Sequence, residues 1–584
     1  MYLRSTPRRN KDGTEVRYLQ LAHNVWDPAA KRSKVQVVYN FGREDAANRE
    51  ALARLVASVS RFLEPGKTLA AAAAGEGLEF TGSRALGGTW VLSGLWAQLG
   101  IGEVMKRMLA GRRAGPAAER VLFALVANRA LAPSSKLAAA GWVSQDACIA
   151  GLPEVSDDAC YRAMDWLLDV KDELEKQVFG QVANLLNLEV DLLFFDTTSA
   201  YFETDGEDEP IWRDKHGKPI PGQPAAGDEG QGSGEDRGGM GDEGGRLAGF
   251  RAYGKSKDHR DDLPQIVIGM AVTREGIPVR VWCWPGDTAD SKLIRQVKDD
   301  LRDWTLAKVV WVADRGFTSA ENRRYLRRGD HHYIIGEKLR SGSAEAQAAL
   351  SRQGRYQDVA ANLRVKEVRI SEQERFVICH NPEGAERDAG VRARMLAQLE
   401  GLIKDTDKLT ATKRAELRGV ISTKPGLNRY LRTTPGGLLR IDAKAIKSEE
   451  NLDGKYLLRT SDPHLSAEDI ALGYKQLLEV ERGWRDLKQV IDLRPVYHRK
   501  EERIRAHVIL CWLALLLTRV AETTTSQTWP RLRRELDRIA LGTFTGPAGT
   551  FRQRTELTKN QRDILAQLKI DPPPRIFQLT TETP

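Results

Sequence analysis

Two stretches of the chain are apolar almost without a break and run into an acid. EVDLLFFDTTSAYF carries Asp196 and KVVWVADRG carries Asp314. A strand with no polar alternation has both faces covered, as in the centre of a sheet flanked by helices. Each is also too short and too β-branched or aromatic for a helix of its own. In open α/β sheets ligands are handled at the carboxyl ends of such strands. Both acids are therefore expected at the working edge of one sheet.

The segments around them set the order of elements. LPQIVIGMAVT and IPVRVWCWPG read as two strands about a turn at Glu275 and Gly276, followed by a helix over ADSKLIRQVKDDLRDW. The second acid-bearing strand comes next, then a short helix in SAENRRYLRRG and a fifth strand in HHYIIGEKL. The order β-β-β-α-β-α-β predicts an α/β fold with a ribonuclease-H-like core, its first part spanning 188–338. Within that part, residues 204–249 hold 11 acidic and 5 basic side chains and 13 glycines, the composition of a flexible, solvent-exposed acidic loop without chemistry.

Outside the core, residues 16–42 alternate in strand fashion about the basic tip DPAAKRSK, a β-hairpin inside an N-terminal region 1–80. Apolar spacings of three and four make 81–187 a helical domain. The stretch 339–455 mixes the strands LRVKEVRI and RFVICH with a charged helix and reads as a β-rich insertion. The core resumes over 456–525 with long helices, and 526–584 is a polar, Thr-rich C-terminal tail. Against 80 acids stand 89 Lys and Arg, a formal +9. That excess attracts polyanions, nucleic acid first among them. Five cysteines without a CxxC pair suit a cytoplasmic setting without disulfide or zinc frameworks. The most lipid-like run, Val508 to Leu517, is about half a membrane span and reads as a buried helix, so no membrane partner is expected.

A third element completes the chemistry. In ALGYKQLLEVERGWRDLKQVIDL, Tyr474, Glu481 and Lys488 recur every seven residues, each about 20° further round one continuous helix. Leu477, Val480, Trp484, Leu487 and Ile491 form the adjacent apolar stripe. Taken singly, a strand-end acid is more simply a turn cap and a heptad of charges a solvated face. Two carboxylates on neighbouring strands, however, repel each other unless a cation lies between them.

DTTSAYFE, WVADRGF and Tyr-(6)-Glu-(6)-Lys together resemble the DDE transposases of bacterial insertion sequences, the group with a Tyr-Arg-Glu-Lys signature. Strings such as YGKSKDHRDDLPQ and LRPVYHRKEERIRAHV are similar to its long-chain branch. Leu477 stands where that signature has Arg, with Arg482 or Arg485 as substitutes. The resemblance implies that Asp196, Asp314 and Glu481 are catalytic and bind two Mg²⁺ (or Mn²⁺) ions. It implies metal-dependent cleavage and strand transfer at the element's ends, with a freed 3′-hydroxyl attacking target DNA and a hairpin on the donor strand. Double-stranded DNA, as terminal inverted repeats and target, is the implied partner, bound by a homodimer in the bacterial cytoplasm at the nucleoid. Tyr474 and Lys488 would hold phosphates near the cut, and the N-terminal hairpin and helical domain would recognise the ends.

Arg494, Arg499, Lys500, Arg503 and Arg505 suit a DNA backbone track, or equally a solvated helix face. The remaining acids read as structural: Asp258, Asp261 and Asp262 as solvated loop groups, Asp287 and Asp290 as a helix cap. Two alternatives stay open on residues alone: a nuclease that cuts without joining, and a catalytically inactive DNA-binding repressor, which would have no need of the three acids.

Overall fold

The computed structural model of the protein describes residues 2–9, 15–27, 32–43, 79–110, 117–186, 188, 191–221, 245–302, 304, 309–340, 342–371, 374–546 and 549–580. Residues 222–244 of the acidic loop and 44–78 of the N-terminal region lie outside these. The chain forms two compact units, one of 98–122 and 161–523, the other of 1–97, 123–160 and 524–584.

The larger unit is mixed α/β around a nine-stranded mixed sheet. Its strands are β1 (Leu192–Tyr201), β2 (Gln265–Val272), β3 (Pro278–Pro285), β4 (Val310–Ala313), β5 (His332–Glu337), β6 (Gln357–Ala360), β7 (Leu363–Ser371), β8 (Glu374–His380) and β9 (Lys455–Thr460). Across the sheet they run β6-β7-β8-β9-β5-β4-β1-β2-β3. Only the β5-β4 and β4-β1 pairs are parallel. Every residue of β2 and β3 is buried, the polar Gln265 and Arg280 among them. The turn between them has Gly276 at φ 75°, which a Cβ would strain. Phe195, Trp282, Trp284, Trp311 and Phe317 form the centre of the core on one face of the sheet.

The strands of 339–455 extend the same sheet through β9. The rest of that stretch is more helical than its sequence suggests: Pro382–Ile403, Ala411–Ser422 and Ala443–Glu450 pack about Leu399, Ile421 and Tyr430, with one small two-stranded sheet. The described flanks of the acidic loop are also anchored. Residues 211–213 pair with 246–248, and buried Arg213 donates to Glu501 at 2.8 Å and to Ala248 O at 2.8 Å.

Helices α1 (Asp290–Asp300) and α2 (Ala320–Leu326) connect the strands as expected. The helix that carries the heptad is not continuous. It is α3 (Ala467–Lys475) followed by α4 (Leu478–Gln489), because Leu477 N bonds Tyr474 O and Glu479 N bonds Gln476 O, three residues back instead of four. That tightened turn redirects the chain: α3 packs on β5, β7, β8 and β9, and α4 on β1 and β2. Gly483 permits the second contact, since a Cβ there would lie 2.7 Å from Met270 Cε. Helix α5 (Glu501–Thr525) is long and apolar enough to cross a membrane, but 94% of its apolar window is buried inside the molecule.

The smaller unit contains two antiparallel sheets. The N-terminal hairpin, Glu15–Asp27 with Arg32–Arg43, gains a third strand, Tyr2–Arg9. A four-stranded sheet runs Ile576–Thr580, Gly549–Arg554, Ala540–Gly546, Glu79–Ala85. The residues read as a tail therefore fold back onto a strand from the first hundred residues.

Between β5 and β9, the Arg459 guanidinium (1% exposed) donates to Glu337 (3% exposed) at 3.1 Å and lies over the Phe376 ring. Removing one member of a buried pair leaves the other charge uncompensated. Glu337→Ala is expected to cost about 3–5 kcal/mol in urea denaturation; a change below about 1 kcal/mol, the range of an exposed pair, would show the pair to be solvated.

Candidate active site

Strands β1 and β4 run parallel and in register, Val310 opposite Leu192 and Ala313 opposite Phe195. The next residue on each is an acid. Asp196 and Asp314 therefore leave neighbouring strands at the same level, roughly 4.8 Å apart by strand spacing. Asp314 begins a 3₁₀ turn over Arg315–Phe317. Asp196 does not end its strand: β1 continues to Tyr201, because it stays paired with antiparallel β2 after its parallel ladder to β4 has stopped.

The Asp196 carboxyl is pushed up to about 6, first by burial and also by the nearby charges of Asp314 and Asp290; Lys257 and the Thr197 amide act in the opposite direction. Lys257 lies 3.7 Å from Asp196 and 3.1 Å from Asp290, and its ammonium donates to Thr197 O at 2.7 Å and Thr197 Oγ1 at 2.5 Å. Asp290 is thus a partner of the site's lysine in the first turn of α1, whose N-cap is Ala289, and Asp287 pairs with Arg246. Neither acid caps the helix.

From α3, the Tyr474 hydroxyl donates to Asp314 Oδ1 at 3.2 Å. Burial, the Asp314 carboxylate and the more distant Glu481 all raise the phenol's pKa, so it stays a donor. Gly336 makes room for it, since a Cβ there would collide with the hydroxyl. Glu481 is exposed on the first turn of α4. Among the described residues, no three His, Cys, Asp or Glu side chains converge closely enough to hold a metal ion. The two strand acids nevertheless suit a hard, oxygen-ligated cation: they are adjacent, and Asp196 is disfavoured as an anion by its surroundings.

Lys488 faces inward from α4 and donates to Asp258 at 2.9 and 3.2 Å; Arg494 donates to the same carboxylate at 3.0 Å. Asp258 is a shared counter-ion rather than a solvated loop acid. The basic residues around α4 and α5 divide into two groups. Arg482 pairs with Glu522 at 3.2 Å, Arg503 lies 3.6 Å from Asp165 and over the Tyr161 ring, and Arg505 binds Glu501 and Cys283 O. Arg485, Arg499 and Lys500 are exposed. Leu477 and Trp484 are buried, which makes Trp484 a packing residue. Sequence reasoning missed Lys257; its only signal was a Lys-Asp pair of opposite charges in the loop before β2.

A model of the transposase DDE domain matches residues 245–517, which include Asp314 and Glu481. A model of the N-terminal domain of IS1634 family transposases matches residues 3–71. No curated protein matches the chain significantly in sequence. Among solved structures, the cryo-EM structure of a piggyBac transposase synaptic complex with hairpin DNA shares 11% identity over 77% of each chain, with a TM-score of 0.31. The chain is a DDE transposase, an enzyme that cleaves DNA and transfers its strands.

Loss of a hydrogen bond to a charged group costs about 1.5–3 kcal/mol, a factor of about ten or more in rate. Tyr474→Phe is expected to slow strand cleavage by about tenfold at saturating DNA, and Gly336→Ala, which displaces the ring, to reproduce it. Unchanged rates in both would separate Tyr474 from the function of Asp314.

Proposed function

We propose that this transposase works through a ribonuclease-H-like core in which Asp196, Asp314 and Glu481 hold two divalent cations, Mg²⁺ or Mn²⁺, over the ends of its insertion sequence. The observation that carries the reading is the in-register pair Asp196 and Asp314 on adjacent parallel strands, one of them oriented by Tyr474. The β5-β4-β1-β2-β3 order with its two connecting helices supports the core. Glu481 is one turn into a helix that packs on β1, and closure around DNA would bring its carboxylate to the strand acids.

Bound there, such cations supply a water activated for attack on the phosphodiester and stabilise the departing 3′-oxygen. The chain's residues hold the parts in place. Asp196 and Asp314 fix the position of positive charge, and Tyr474 holds one rotamer of Asp314. Lys488 supplies a point charge to a phosphate beside the cut. With Leu477 buried and Arg482 tied to Glu522, Arg485 is the guanidinium that replaces the signature Arg: it lies four residues after Glu481 and three before Lys488, on one helix face. Arg499 and Lys500 extend the phosphate track, while Arg482 and Arg503 contribute less. The partner is double-stranded DNA, as terminal inverted repeats and target, held by a homodimer at the bacterial nucleoid. End recognition is assigned to the N-terminal sheet and the helical region 81–187.

Labelled duplexes carrying the element's ends test this reading. With Mg²⁺ the protein is expected to cut and join them, while Asp196→Asn, Asp314→Asn and Glu481→Gln each lose activity by a factor on the order of 10³ and retain binding. Cleavage that survives any of the three would remove that residue from the site, and cleavage without joining would reduce the enzyme to a nuclease. In the same duplexes, Arg485→Ala is expected to lower the salt dependence of binding by about one unit of log K against log salt and Arg482→Ala to leave it unchanged. The reverse pattern would assign the contact to Arg482.

A further inference from the structure

Consecutive residues in the loop before β2 engage the two chemically opposite sides of the site. Lys257 turns toward the acids, 3.7 Å from Asp196 and 3.1 Å from Asp290. Asp258 turns toward the bases, bonding Lys488 at 2.9 Å and Arg494 at 3.0 Å. The loop that presents them is pinned. Lys257 N donates to Ser199 Oγ at 2.9 Å, Ser256 N to Asp261 Oδ1 at 2.6 Å, and Asp258 N to Ser256 Oγ at 3.2 Å. His259 follows in the left-handed region at φ 58°, a conformation that costs free energy in a non-glycine residue and marks a constrained turn.

An ammonium group among two carboxylates and a carbonyl occupies surroundings like those of a hard cation. A carboxylate between Lys and Arg occupies surroundings like those of a phosphate. We propose that Lys257 and Asp258 are positioning residues that keep the site charge-matched before substrate arrives: Lys257 stands where positive charge belongs, Asp258 where a DNA phosphate belongs, and each yields to the group it stands for. The proposal rests on the reading of Asp196 as a cation ligand and Lys488 as a phosphate contact. Its consequence is that binding of cation and of DNA is opposed by the protein's own charges. Arg494, whose guanidinium also lies over the Tyr201 ring, becomes a DNA contact once Asp258 withdraws.

Competition of this kind gives removal of each residue an unusual sign. In the full-length protein without DNA, Lys257→Gln is expected to tighten Mn²⁺ binding, read by electron paramagnetic resonance, at least threefold. Lys257→Arg, which keeps the charge, is expected to stay within about twofold of the natural protein. If Lys257→Gln does not fold, Lys257→Met serves the same purpose. Asp258→Asn is expected to tighten binding of a random-sequence duplex and to steepen the plot of log K against log salt by between one and two units, about 0.9 per phosphate gained. A merely structural role would lower the melting temperature without tightening either equilibrium. Mn²⁺ binding that is unchanged or weaker in Lys257→Gln, or an unaltered salt slope in Asp258→Asn, overturns the proposal. Two controls separate this from failure of the underlying reading: Asp196→Asn must weaken Mn²⁺ binding and Lys488→Ala must flatten the salt slope, and if they do not, the site assignment falls and this proposal with it.

Discussion

The structure turns on two carboxylates held side by side in a largely buried setting. Parallel strands in register put Asp196 and Asp314 at one level, and burial makes the charged form of Asp196 unfavourable. At an effective dielectric near 20, two like charges about 5 Å apart repel by about 3 kcal/mol. Nearby positive charge relieves that repulsion, and Lys257 supplies some of it. The need to hold both strands rigidly explains the apolar faces of β1 to β4, since a one-residue slip would turn either acid into the core.

The same constraint accounts for the interrupted helix. Helix α3 covers β5 and β9, and α4 covers β1 and β2. The tightened turn at Gln476 and Leu477 lets α3 bring Tyr474 onto Asp314 while α4 carries Glu481 and Lys488 over the first strands. A buried network then fixes α4 to α5: Arg519 bonds Glu522 at 2.8 Å and lies 2.7 Å from Asp486, and Arg482 joins through Glu522. Arg482 is spent on that scaffold, which is why neighbouring arginines on one helix have different chemical futures.

Elements whose sequence carries an unmistakable period were legible. The unbroken apolar strands, the Gly276 turn and the acids that follow Phe195 and Ala313 could be read directly, because burial on both faces leaves no alternative composition. The heptad of Tyr474, Glu481 and Lys488 was legible as a motif but misleading as geometry. A two-residue tightening of hydrogen bonding changes direction without changing the pattern of apolar residues. The strand Ala540–Gly546 was hidden by its Thr and Gly content, since its pairing partner Glu79–Ala85 lies at the other end of the chain. Lys257 and Asp258 were illegible for a related reason. A loop's charges acquire meaning only from what the fold places opposite them, and here the opposing groups come from β1, α1, α4 and the segment that follows α4.

The central claim is that Asp196 and Asp314 form one cation site with Glu481 as its third ligand. Anomalous diffraction from crystals of the protein grown with Mn²⁺ and cleaved end DNA tests it most directly. The account predicts a manganese peak between the Asp196 and Asp314 carboxylates, with Glu481 in its coordination sphere and Lys257 withdrawn. A peak bound elsewhere, or one that leaves either strand acid uncoordinated, would contradict it.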